Sequence, residues 1–73
     1  MGKPSAVTDA IARLGGVRRV AFTADVTPEA VYQARVRGRF LQAGPVLRLA
    51  EALFPDDPVR QLAAAKKLAG LLE

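Results

Sequence analysis

Residues that end or begin helices recur along this chain and divide it into short segments. The breaks fall at Gly15-Gly16, at Asp25, at Gly38 and over residues 55–58. Glycine favours the left-handed conformation that ends a helix, aspartate tolerates that conformation, and proline begins helices but cannot continue them. Between the breaks, apolar residues recur three and four positions apart, and no strand-like alternation is present. The sequence therefore predicts an all-α fold of four to five short helices in one compact domain over residues 1–73.

Several breaks carry start signals for the helix that follows. Ser5 and Asp57 can cap a first and a fifth helix. The strongest signal is Thr27-Pro28-Glu29, because Thr caps, Pro is preset for the first helical position, and Glu complements the positive end of the helix dipole. A third helix is predicted over residues 27–37. An extended connection over residues 39–44 then precedes a fourth helix, which Pro45 is expected to open.

The length and composition exclude several classes of protein. A domain of 73 residues buries only about 60% of the surface of its unfolded chain, so a partner subunit would help its core. Without cysteine or histidine, the chain has no disulfides, thiolate nucleophiles, usual zinc ligands or His-based triad. We therefore expect neither an enzyme nor a cofactor. The N-terminus does not resemble a secretory signal, and no segment reaches the ~18 apolar residues of a membrane span, so we expect a cytoplasmic, nucleoid-associated protein.

Positive charge is concentrated in the first part of the chain. Residues 1–44 contain seven Lys and Arg residues against three acidic ones, whereas residues 45–73 contain four of each sign. A protein that neutralises phosphates with one face and packs with another needs such a separation. A solvated basic surface would produce the same charge distribution.

Residues 17–37 have the pattern of a helix-turn-helix unit, in which a second, capped helix enters the major groove of DNA. Ala21 is small enough for two helices to cross closely, and Val20 and Val26 fill the space beside it. At 100° per residue, Val31 and Ala34 of the third helix face the same core. An Ala/Val pattern of this kind also occurs in ordinary helical hairpins. The side chains on the outer face of the third helix must therefore distinguish a DNA-binding unit from such a hairpin.

That outer face has the side chains that read base edges. Gln bonds adenine, Val touches a thymine methyl, Glu accepts from cytosine, and Tyr bonds a phosphate or packs on a base. The predicted base-reading residues are Thr27, Pro28, Glu29, Tyr32, Gln33 and Val36. The predicted phosphate contacts are Arg18, Arg19, Arg35, Arg37 and Arg39. The alternative is that the arginines only complement the helix dipole and that Tyr32 packs on a neighbouring helix.

Three runs of sequence resemble the Cro-type helix-turn-helix family, especially its YdaS-like branch, over about residues 8–53. They are Gly15-Gly16-Val17-Arg18-Arg19-Val20-Ala21, Val26-Thr27-Pro28-Glu29-Ala30-Val31-Tyr32-Gln33 and Arg37-Gly38-Arg39-Phe40. The resemblance implies a lambda-repressor/Cro-like fold, a dimeric transcriptional regulator of phage or prophage type or an antitoxin, and double-stranded DNA as the partner. It also implies operator contacts by Thr27, Tyr32, Gln33 and Arg35. The chain departs from the branch at Phe22, Ala34 and Leu41.

The predicted fifth helix, over about residues 58–70, has an apolar seam that two arrangements could bury. In the first, the seam pairs two subunits in a homodimer. The predicted dimer or partner residues are Phe22, Leu62, Ala65, Leu68, Ala69 and Leu72. In the second, the seam folds back onto Val46, Leu49 and Leu53 and completes the core of a single chain. For Phe22, which is unusual on an exposed face, we expect contact with the C-terminal helix or with a larger protein partner, as in a helical interaction module.

Overall fold

The structure, a computed structural model, describes residues 5–71, and these residues form five helices without a strand. The helices are α1 (Ala6–Leu14), α2 (Val17–Ala24), α3 (Pro28–Arg37), α4 (Ala43–Leu53) and α5 (Pro58–Leu68). The prediction of an all-α domain with five short helices is confirmed. None of these helices has both the length and the apolar character needed to cross a bilayer.

Side-chain caps begin three of the helices at the residues that the sequence predicts. The Ser5 hydroxyl accepts from the Thr8 N–H at 3.1 Å, and the Thr27 hydroxyl accepts from the Ala30 N–H at 3.2 Å. The Asp57 carboxylate accepts from the Arg60 N–H, also at 3.1 Å. Each cap satisfies an N–H group that the first helical turn leaves without an internal partner. Local hydrogen bonding therefore sets these three boundaries.

The start of α4 differs from the prediction. The helix begins at Ala43 with Gln42 as its N-cap residue, so Pro45 lies inside the first turn and does not open the helix. Proline is accepted there because the first-turn N–H groups make no bond within the helix. The connection after α3 is correspondingly shorter than the predicted stretch over residues 39–44. At its other end α4 stops at Leu53, and Phe54 is non-helical.

The core forms where α2 packs on α1, α3 and α4, and where α5 packs on α4 and α1. Small residues on α2, among them Ala21 and Ala24, are buried and allow these helices to approach closely. Helix α3 packs on α2 and α1 but on neither α4 nor α5, so much of its surface stays open to solvent. The core residues are Val7, Ala10, Val20, Ala21, Ala24, Val31, Ala34, Phe40, Val46, Leu49 and Leu68.

The apolar seam of α5 packs within the chain, as in the second predicted arrangement, in which the seam folds back onto the core of a single chain. Leu68 is only 1% exposed, and Ala65 and Ala69 pack against the same core. The Phe40 N–H also donates to the Leu68 carbonyl at 2.8 Å, which ties α5 to the connection after α3. These three predicted dimer residues therefore stabilise the single chain. Leu62 remains 59% exposed, and Leu72 lies outside the described residues.

Candidate functional site

A short turn with defined hydrogen bonds connects α2 to α3. Three residues, Asp25, Val26 and Thr27, separate the two helices. Asp25 has a left-handed backbone with φ of 58°, and the Val26 N–H donates to the Ala21 carbonyl at 3.0 Å. The side chain of Val26 packs against the core, and Thr27 caps α3. Because every residue of the turn has a structural partner or a required conformation, α3 is held at a set angle.

Helix α3 has one buried and one exposed face. Val31 and Ala34 are buried, as the periodicity predicts. The opposite face is exposed, and we call it the α3 strip. It consists of Glu29, Tyr32, Gln33 and Val36. Val36 is 81% exposed, and an aliphatic side chain gains nothing from this position in an isolated chain. Thr27 and Pro28 are exposed at the N-terminal end of the same helix.

One edge of the α3 strip is formed by an arginine that lies over an aromatic ring. The Arg35 guanidinium carbon is 5.3 Å from the centre of the Tyr32 ring, within the range of a cation–π interaction. At exposed sites such a contact contributes about 0.5–1 kcal/mol, enough to favour one orientation of the arginine. Tyr32 therefore contacts Arg35, three residues further along the same helix. The guanidinium is held beside the strip.

The other edge of the α3 strip adjoins a groove of about 280 Å³ between α3 and the start of α4. Arg37 and Arg39 both line this groove, together with Gln33 from the strip. The stem of Arg39 also lies against the end of α5, where a Cβ added to Gly70 would come within 2.8 Å of the Arg39 Cδ. The full lining is Val26, Ala30, Gln33, Ala34, Arg37, Arg39, Phe40, Leu41, Gln42 and Pro45.

The remaining predicted phosphate contacts, Arg18 and Arg19, are exposed in the first turn of α2. Within residues 5–71, the ion pairs are on α1 and at the start of α5, between Arg13 and Asp9 at 2.8 Å and between Arg60 and Asp57 at 3.4 Å. The arginines of α2 and α3 take part in neither pair. Their charges are therefore available to an anionic ligand.

Phe22 does not contact the C-terminal helix, which was one of the two predicted partners for it. The side chain is 87% exposed on α2, and α2 and α5 do not pack together. Helix α5 packs on α1 and α4 instead. The other predicted partner, a separate protein, stays a prediction.

Phe40 has a structural role that the sequence pattern did not predict. The Phe40 ring is buried in the core. The hydrogen bond from the Phe40 N–H to the Leu68 carbonyl holds the connection between α3 and α4, which lines the groove, against the end of α5. The available signal was a large aromatic residue in a short connection two positions after a helix-ending glycine. An aromatic residue in such a place commonly anchors a loop to the core because its burial is strongly favourable.

Among residues 5–71, no group of three or more acidic side chains is placed to hold a metal ion. The side chains of the α3 strip can make hydrogen bonds, apolar contacts and charge pairs. Comparisons of this chain with protein families, with curated proteins and with solved structures found no significant match.

Proposed function

We propose that this chain is a sequence-specific DNA-binding regulator of transcription, in which α2 and α3 act as a helix-turn-helix unit. The observation that carries the proposal is the α3 strip, an uncovered face that combines Gln33, Tyr32 and the 81% exposed Val36 between edges of arginine. An ordinary solvated helix has no need for this combination. In the major groove, each of these side chains has a partner.

Size and chemistry both support this placement of α3. A helix with its side chains is about 10–12 Å across, and the major groove of B-DNA is about 12 Å wide. There, Gln33 can bond both N6 and N7 of adenine, and Val36 can contact a thymine methyl group. Glu29 can accept from cytosine N4, which would offset its repulsion from the phosphates. Thr27, Pro28 and Tyr32 complete the proposed base-reading set.

The arginines supply the attraction to the DNA backbone. Arg37 and Arg39 lie together at the groove on one edge of the strip, and Arg35 lies on the other edge. A helix that enters the major groove has a phosphate strand on each side, so cations on both edges match the ligand. Arg18 and Arg19 at the start of α2 add two further phosphate contacts. Each neutralised phosphate releases counterions, and binding should weaken steeply with salt.

We further propose that two copies bind together. Paired subunits would place two α3 helices in successive major grooves on one face of DNA, with half-sites roughly 34 Å apart. A dimer also suits a chain whose own core is small. The phage-type regulators that the sequence resembles are usually dimers, which agrees with this arrangement.

A selection from random duplex DNA with the purified chain at near-physiological salt tests the proposal. The selected sequences are then titrated at several salt concentrations. We expect an enriched motif with half-sites about ten base pairs apart, and affinity that falls as salt rises. Salt-sensitive binding without any motif would show that the chain binds DNA nonspecifically. Absence of binding would refute the proposal that it acts on DNA.

One observation favours a second function, that of a helical interaction module or antitoxin-like adaptor for a larger protein. Phe22 is 87% exposed beside Arg18 and Arg19 on α2, and aromatic rings and arginines are enriched where one protein binds another. A Phe22→Ala variant that kept DNA binding but lost regulation in cells would support this function. Such a result is compatible with DNA binding by α3.

A further inference from the structure

A second uncovered apolar surface lies on α4 and α5. It consists of Leu47, Val59 and Leu62, which are 57%, 79% and 59% exposed, and we call it the α4–α5 patch. Leu47 and Leu62 line a shallow groove of about 290 Å³ between the two helices, and the small side chains of Ala50 and Ala65 form part of its lining. Val59 lies one turn before Leu62 on α5.

Opposite charges mark the two ends of this patch. Glu51 lies one turn after Leu47 on α4 and lines the groove, whereas Lys66 lies one turn after Leu62 on α5. Helix α4 runs toward the connection at residues 54–57, and α5 runs away from it. Because the two helices pack side by side, Glu51 lies at the end near this connection and Lys66 at the far end. Neither residue takes part in the ion pairs within residues 5–71.

We infer that the α4–α5 patch is where a second copy of this chain docks, about a two-fold axis through the middle of the patch. A two-fold axis that lies in the interface, perpendicular to the line from Glu51 to Lys66, turns the patch end for end. Glu51 of each copy then meets Lys66 of the other, while the apolar side chains meet in the middle. Such an interface is isologous, and each contact occurs twice. A surface with an apolar centre and one charge of each sign at its ends is complementary to itself.

The position of the patch is compatible with DNA binding by both copies. Helices α4 and α5 do not pack on α3, so docking through the patch leaves both α3 strips uncovered. A stable interface buries about 800 Å² per partner, more than three partly exposed side chains supply. The dimer is therefore weak, and it forms at high concentration or when neighbouring half-sites bring two copies together. The inference deepens the proposed function by naming the pairing surface.

Sedimentation equilibrium without DNA, at low salt and from micromolar to millimolar protein, tests the inference. We expect a reversible equilibrium between monomer and dimer. Leu62→Lys should raise the dissociation constant by about a hundredfold or more, because the lost apolar contact occurs twice and two charges are buried. Leu41→Lys is the matched control, since it places the same charge at a leucine that is 62% exposed in the connection between α3 and α4, outside the patch, and it should leave the equilibrium unchanged.

A charge exchange tests the two-fold arrangement itself. Glu51→Lys and Lys66→Glu should each weaken the dimer by about two- to fivefold, and the double variant should return to the value of the unmodified chain. Three results would overturn the inference: a monomer up to millimolar concentration, a Leu62→Lys variant that pairs normally, or a double variant weaker than the single ones. Because no DNA is present, failure of the DNA selection would leave this result standing.

Discussion

Two leucines on α5 give the sharpest test of the fold. Leu68 is 1% exposed and belongs to the core, whereas Leu62, six residues earlier on the same helix, is 59% exposed. Leu68→Ala removes buried atoms and leaves a cavity, a change that costs about 2–5 kcal/mol. Leu62→Ala removes atoms already in contact with water, so its cost should stay within about 0.5 kcal/mol. The same substitution therefore has very different expected costs.

The size of the domain makes the larger loss easy to detect. At about 0.05–0.15 kcal/mol per residue, a chain of 73 residues has a free energy of unfolding of about 4–11 kcal/mol. In a domain this small, 1 kcal/mol shifts the Tm by about 4–8 °C. Leu68→Ala should therefore lower the Tm by at least about 8 °C, while Leu62→Ala should change it by less than about 4 °C.

Thermal and urea unfolding followed by circular dichroism measure both variants. The chain should be dilute enough to be monomeric, so that loss of dimer contacts at Leu62 does not contribute. Equal losses in the two variants would refute the inward packing of α5. A larger loss for Leu62→Ala would show that Leu62, and not Leu68, faces the core of the single chain.

Three further predictions concern α2 and α3. Asp25→Val should cost about 1–2 kcal/mol in urea unfolding, because a β-branched residue resists the left-handed backbone at φ of 58°, whereas Asp25→Gly should not destabilise the chain. In binding titrations with a selected site, Gln33→Ala should lose about 1–3 kcal/mol and relax the preference at one base position, and unchanged preference would contradict our orientation of α3. Arg37→Ala should weaken binding to all sequences and lower the slope of log affinity against log salt concentration by about one. Lys67→Ala removes the same charge from α5, on the side that faces α1, and should lower this slope much less.

The helix boundaries were predictable because their causes are local. Ser5, Thr27 and Asp57 each cap the helix that follows through a bond to the N–H three residues later, so neighbouring positions in the sequence contain the whole interaction. The left-handed Asp25 depends in the same way on its own short side chain. The prediction that α4 begins at Pro45 was wrong because proline is accepted anywhere in the first turn. A proline therefore marks the beginning of a helix only to within one turn.

The packing of α5 was not predictable, because an apolar seam has the same spacing whether it covers its own core or that of a partner. Leu62, Ala65, Leu68 and Ala69 share this spacing, yet Leu68 is buried and Leu62 is not. The two leucines lie about 120° apart around the axis of α5. Which of these sides faces the core depends on distant residues such as Phe40, whose N–H donates to the Leu68 carbonyl. The contact of Arg35 with the Tyr32 ring was not predictable either, because a spacing of three residues on a helix permits this contact but does not require it.

The α3 strip could be located from the sequence because α3 contributes little to the core. Only Val31 and Ala34 of its ten residues are buried, and a capped turn on α2 holds the helix in place. Substitutions of Gln33 or Val36 should therefore change the free energy of unfolding by no more than about 0.5 kcal/mol. Any larger loss of DNA binding in these variants then measures a contact with the ligand, because the fold that presents the side chain is unchanged. Stability and recognition depend on opposite faces of the same helix, and each can be tested without disturbing the other.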